Sequence, residues 1–154
     1  MGVFHACAVA TDGHVDCWGM DEADLSAYDY NMGQVDDTPE TIGYSSVWTT
    51  YDTNCALTPA GEATCWGAAG THAQEALAPY SVKMTAVAGV VCAITTDNAL
   101  ICLNTPSDDW GNPTDGTWQK VVFGLRFPCA LSTEGRVVCW DEYGEDLSPI
   151  YTTE

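Results

Sequence analysis

Eight cysteines carry the most readable chemistry in this chain. They fall into four pairs, Cys7/Cys17, Cys55/Cys65, Cys92/Cys102 and Cys129/Cys139, with the partners ten positions apart each time. An even number of thiols at one repeated spacing points to disulfides and an oxidising destination. Zinc ligands come two to four residues apart within a pair, and nine intervening residues do not fit that pattern. Disulfide-linked helical hairpins share the spacing. Here, however, a Gly or Asn interrupts the middle of each segment and β-branched residues flank it, which suits strands.

No other constellation of reactive residues emerges. Of the three histidines, His5 stands beside the first cysteine pair, His14 just past a turn and His72 in a stretch that reads as a loop. That scatter does not make a shared metal site. Nucleophile elbows, phosphate loops and paired-histidine zinc motifs are missing from the sequence. None of the 22 carboxylates is flanked by a pattern that would raise its pKa. Asp21, Glu22 and Asp24, or Asp108 and Asp109, offer oxygens to Ca²⁺ but do not follow a calcium-loop pattern. The expectation is a protein that is not an enzyme, with no catalytic residue, no metal and no cofactor.

The net charge of −18, with only four Lys and Arg, excludes nucleic acid as a partner, because phosphates demand cations. Docking on anionic membranes is disfavoured for the same reason. No apolar run approaches the ~20 residues of a transmembrane helix. Such a surface serves solubility, or matches a basic partner.

The elements that position the cysteines are legible as repeats. Segments 7–18, 55–66, 92–103 and 129–140 align without gaps, starting 48, 37 and 37 residues apart. In each, apolar residues alternate on both sides of a turn, the period of a strand. Thr11-Asp12-Gly13 reads as a three-residue loop, a type I turn followed by a bulge with Gly in the left-handed region. Asn98 takes that place in the third segment. If Ala10 and His14 close the loop as a hydrogen-bonded pair, Val9–Val15 is non-bonded, Ala8–Asp16 bonded and Cys7–Cys17 non-bonded. That brings the cysteine Cα atoms to about 4.5 Å, close enough for a bridge. Four bridges within hairpins follow, each contributing roughly 2–3 kcal/mol on the chain-entropy account.

A third strand precedes three of the hairpins, at 46–51, 83–88 and 119–123. The first hairpin lacks one, and Ser148–Thr153 at the other end resembles Ser45–Thr50. A tail strand completing the first blade is how propellers seal their rings. The expected fold is all-β: four tandem three-stranded antiparallel blades, β-propeller-like, closed by the C-terminal strand in cis or with a neighbouring chain. This makes one repeat domain, 1–154, with repeat hairpins at 3–19, 46–67, 84–104 and 119–141 and the closing strand at 148–153.

With His5 two positions before Cys7 and Trp18-Gly19 after Cys17, the first unit resembles the regulator of chromosome condensation repeat family. Its two-cysteine form is similar to secreted or surface-exposed bacterial members. The third unit departs, with Leu103-Asn104 in place of Trp-Gly. The resemblance implies a propeller scaffold and identifies no partner, because that scaffold serves many functions. It also implies that Trp18, Trp66 and Trp140 are packing residues and that His5 is structural.

Binding is then expected in the two longest segments between hairpins, 20–33 and 105–118, which mix aromatics with Asp, Asn and Gly. The candidate contacts are Tyr28, Tyr30, Trp110 and Trp118, directed at a protein or a glycan. The expected role is a non-catalytic recognition module at an extracellular surface. The alternative is a virion structural, decoration or adhesion protein, favoured because Met1-Gly2 runs into the first repeat without a secretory leader. Exchange of the C-terminal strand would make a homo-oligomer.

Overall fold

A computed structural model of the chain describes residues 5–19, 32–50, 52–87, 91–103, 116–123 and 127–141. The chain divides into two compact units, Met1–Ser81 and Val82–Glu154. The first holds β1 (His5–Val9) and β2 (Val15–Gly19), then β3 (Ser46–Thr49), β4 (Thr53–Leu57), β5 (Ala63–Gly67) and helix α1 (Gly70–Leu77). The second holds β6 (Val82–Val87), β7 (Val91–Thr95), β8 (Leu100–Leu103), β9 (Trp118–Phe123), β10 (Pro128–Ser132) and β11 (Val137–Cys139). The fold is all-β and propeller-like, built from antiparallel meanders. Three sheets have three strands, in the orders β3-β4-β5, β6-β7-β8 and β11-β10-β9, and β1 pairs with β2. The first sheet is thus two-stranded among the described residues. The expected closing strand, 148–153, lies outside them.

All four turns follow one design. In the first, Gly13 N–H donates to Ala10 O at 3.0 Å and Ala10 N–H to His14 O at 2.7 Å, with Gly13 at φ 85°. The same pair of bonds recurs at Thr58/Gly61/Glu62, Thr95/Asn98/Ala99 and Ser132/Gly135/Arg136. Asn98, at φ 71°, is the one non-glycine with positive φ among the described residues. Asn enters this region more readily than most side chains. These turns set the register that places Cys7 opposite Cys17 and its three counterparts likewise. All four pairs are bridged, with Cα separations of 4.0–4.1 Å.

Helix α1 is absent from the sequence expectations, which placed His72 in a loop. His72 lies on α1. Ala69, Ala73, Ala76, Leu77, Gln74 and Glu75 are good helix formers, and Pro79 follows the C-terminus, where helices commonly end. Gly70, Ala73 and Leu77 form its buried face. Gln74 reaches from the helix to the outer strand β5. Its Oε1 accepts from Cys65 N–H at 2.9 Å and its Nε2 donates to Ala63 O at 2.9 Å. The carboxamide thereby takes the part of a neighbouring strand and blunts an edge that would otherwise recruit one.

Candidate interaction surfaces

Each sheet has two unlike faces, because successive side chains alternate. One carries the disulfide and its aliphatic neighbours, and the other carries the Ala after the first cysteine and the residue after the second, Trp in three sheets and Leu103 in the third. Within Met1–Ser81, Cys7, Val9, Val15 and Cys17 pack against Val47, Ala56 and Trp66 of the next sheet and against Tyr44. Within Val82–Glu154, Cys92, Ile94, Leu100 and Cys102 pack against Trp118, Val121, Ala130, Val138 and Trp140. The rule is the same in both units: a disulfide face lies under the Ala/Trp face of the sheet that follows it.

The contact in the first unit includes buried polar groups. Asn54 Nδ2 donates to Gln34 O at 2.8 Å, leaving Asn54 Oδ1 to accept from His5 Nε2 at 2.6 Å. Trp66 Nε1 donates to the same Gln34 carbonyl at 3.1 Å. This assigns the proton of His5 to Nε2 and gives His5 the structural role expected of it. His5 Nδ1 has no hydrogen-bond partner among the described residues.

Two of the tryptophans expected to pack do so, and one does not. Trp66 and Trp140 are buried, whereas Trp18 is 55 % exposed. The cause is positional. Trp66 and Trp140 face the disulfide side of the sheet before their own, while Trp18 belongs to the first sheet, which has no earlier sheet in its unit among the described residues. Trp18 stands opposite Ala6 and on the same face as Asp16.

The far side of the fourth sheet is partly open in the complementary way, with Cys139 buried and Cys129 and Leu131 half-buried. Its disulfide face carries Lys120, Val122, Cys129, Leu131, Val137 and Cys139. Val122 is 44 % exposed and Val137 57 %, and Phe127, two positions before Cys129, is 41 % exposed. Such apolar residues grouped on one sheet face mark an interaction surface more than scattered ones do.

Among the binding residues expected from sequence, Tyr28, Tyr30 and Trp110 lie outside the described residues, as do Asp21, Glu22, Asp24, Asp108 and Asp109. Trp118 is a correction. It is only 1 % exposed and sits in the core of its unit, so it has no face to offer a partner. Its backbone N–H donates to Asn98 O at 2.8 Å, on the turn of the preceding hairpin. Tyr44 plays the same part in the first unit, where its N–H donates to Gly13 O at 3.1 Å and its hydroxyl to Thr64 Oγ1 at 3.1 Å. Both aromatics stand eleven positions before the first cysteine of their hairpin, Cys55 or Cys129. That spacing was available in the sequence and marks Trp118 as scaffold.

Among the described residues, no group of three or more His, Cys, Asp or Glu is arranged to hold a metal. No helix among them is long and apolar enough to cross a membrane. Thr95 Oγ1 donates to the Asp97 carboxylate, and with backbone N–H groups it holds that carboxyl below its usual range. This is turn chemistry at an exposed site.

Architecture and comparisons agree on the class, a disulfide-bridged β-propeller repeat protein. A family model, the regulator of chromosome condensation (RCC1) repeat, matches residues 1–23. The CRINKLY WD40 ectodomain of the Arabidopsis thaliana receptor kinase ACR4 superposes with a TM-score of 0.63 at 18 % identity, over 91 % of this chain and 51 % of its own. The ectodomain of the Physcomitrella patens receptor kinase CR4 gives 0.65 at 21 %, over 92 % and 37 %. Human WBSCR16 gives 0.65 at 16 %, over 91 % and 45 %. The chain therefore spans about half the length of these structures, or less. No curated protein matches it in sequence.

Proposed function

We propose that residues 1–154 form one repeat domain that serves as a non-catalytic, disulfide-stabilised binding module recognising a protein or glycan outside the cell. The observation that carries this reading is a division of labour along the chain. The hairpins repeat one turn, one register and one bridge four times, while segments 20–33 and 105–117 between them share no such pattern. A scaffold that is held constant while its connections vary is suited to presenting contact residues. The bridges and the likeness to receptor ectodomains support an extracellular setting. Tyr28, Tyr30 and Trp110 are the contact residues of this reading. The same bridged, acidic body would also serve at a virion surface.

The test is binding of the full chain to arrays of extracellular proteins and of glycans, beside a Tyr28→Ala/Tyr30→Ala/Trp110→Ala variant. The expected result is one class of ligand that the variant binds at least tenfold more weakly, with an unchanged melting temperature. Equal binding by both proteins, or a variant that melts far below the parent, would sink the assignment of these residues.

A further inference from the structure

We propose that the open disulfide face of the fourth sheet is covered by the Ala/Trp face of the first sheet of a second copy of this chain. The occupant is named by the packing rule itself. In both units a disulfide face of Cys and aliphatic side chains lies under an Ala/Trp face. The fourth sheet presents such a disulfide face to solvent through Val122 and Val137, with exposed Phe127 next to β10, and the first sheet presents the matching face through Trp18. A new contact of this type repeats chemistry the protein already uses twice.

Charge argues against one alternative, pairing through the first unit alone. All four cations of the chain, Lys83, Lys120, Arg126 and Arg136, fall in Val82–Glu154, and Met1–Ser81 has none. With twelve carboxylates in the first unit and ten in the second, their formal charges are −12 and −6. Contact between first units would set the two most negative surfaces together. First unit against second avoids that, with Lys120 on one face and Asp16 on the other. The contact is heterologous, and such contacts close into rings or run on as filaments according to the rotation they impose.

Sedimentation of the full chain between 1 and 100 µM tests this, with two kinds of variant. Trp18→Ser breaks only the first-sheet face, and Val122→Asp/Val137→Asp breaks only the fourth-sheet face. All three residues are exposed, so melting temperatures should stay within a few degrees of the parent. The parent should sediment at twice the chain mass of 16.5 kDa or more, and each variant alone as a monomer. A mixture of the two variants retains one intact contact, and should recover a heterodimer that grows no larger. Lys120→Glu, which leaves both apolar faces whole, should weaken parental association, with the largest effect at low salt. A parent that stays monomeric at 100 µM overturns the proposal, whether Trp18 is then covered within its own chain or by another protein. So does a single-face variant that still self-associates, or a mixture that stays monomeric.

Discussion

Both units bury a disulfide face under an Ala/Trp face, yet they fill the contact differently. In Met1–Ser81 it includes a buried polar chain, His5–Asn54–Gln34, whose carbonyl end also takes the Trp66 N–H. In Val82–Glu154 the corresponding contact is apolar, with Trp140, the counterpart of Trp66, among Ile94, Trp118, Val121 and Val138. There the indole Nε1 has no hydrogen-bond partner among the described residues. One repeat thus tolerates two solutions. A polar contact fixes a neighbour by direction, because its donors and acceptors must meet. An apolar one fixes it by area and shape alone. The position after the second cysteine is therefore defined by what lies across from it, and Trp18, with nothing across from it in its unit, shows the third outcome.

The largest expected effect separates these outcomes. Trp140→Ala should cost about 3–5 kcal/mol, the range for deleting a buried aromatic, and Trp18→Ala no more than about 0.5 kcal/mol at low protein concentration. Chemical denaturation at 1 µM measures both. Comparable losses would mean that Trp18 is packed and that the two positions do not differ.

The turns allow a sharper contrast. Gly13 and Gly135 have nearly the same φ, 85° and 88°. A Cβ at Gly13 would lie 2.7 Å from Gly43 N, while one at Gly135 would meet nothing within 4 Å. Gly135→Ala should cost roughly 1–2 kcal/mol, from the left-handed conformation alone. Gly13→Ala adds a backbone clash with the segment that docks on the turn, and should cost at least about twice as much on the same measure. Equal costs would show that the segment at Gly43 yields freely and does not fix the hairpin.

The smallest effect tests the polar chain itself. Trp66→Phe removes a hydrogen bond along with the larger ring, and Trp140→Phe removes only ring area. The first should exceed the second by about 1 kcal/mol, the net value of one such bond. A difference near zero would show that the Trp66–Gln34 bond adds nothing beyond packing.

Much of this molecule is legible in its sequence. The turn at Thr11–Gly13, its Asn98 counterpart and the four cysteine pairs followed from positions ten residues apart or fewer. Helix α1 is not legible from the repeat, although its alanines and Pro79 are plain in the sequence, because it has no counterpart in the other repeats among the described residues. Trp118 was misread for a related reason. It ends a long segment of loop-like composition, and only its alignment with Tyr44 marks it as part of the scaffold.

Turn type, the pairing and register of the two strands in each hairpin, and disulfide connectivity follow from the residues alone. Each depends on backbone conformation and on partners close along the chain, so local residue identity suffices. Tertiary structure alone decided which faces meet, that Trp66 and Trp140 are covered and Trp18 is not, that His5 finds Asn54, and that Gln74 closes the edge of β5. Burial is a property of whatever lies opposite, and residues 49 positions apart, like His5 and Asn54, leave no spacing in the sequence that tells one of the other.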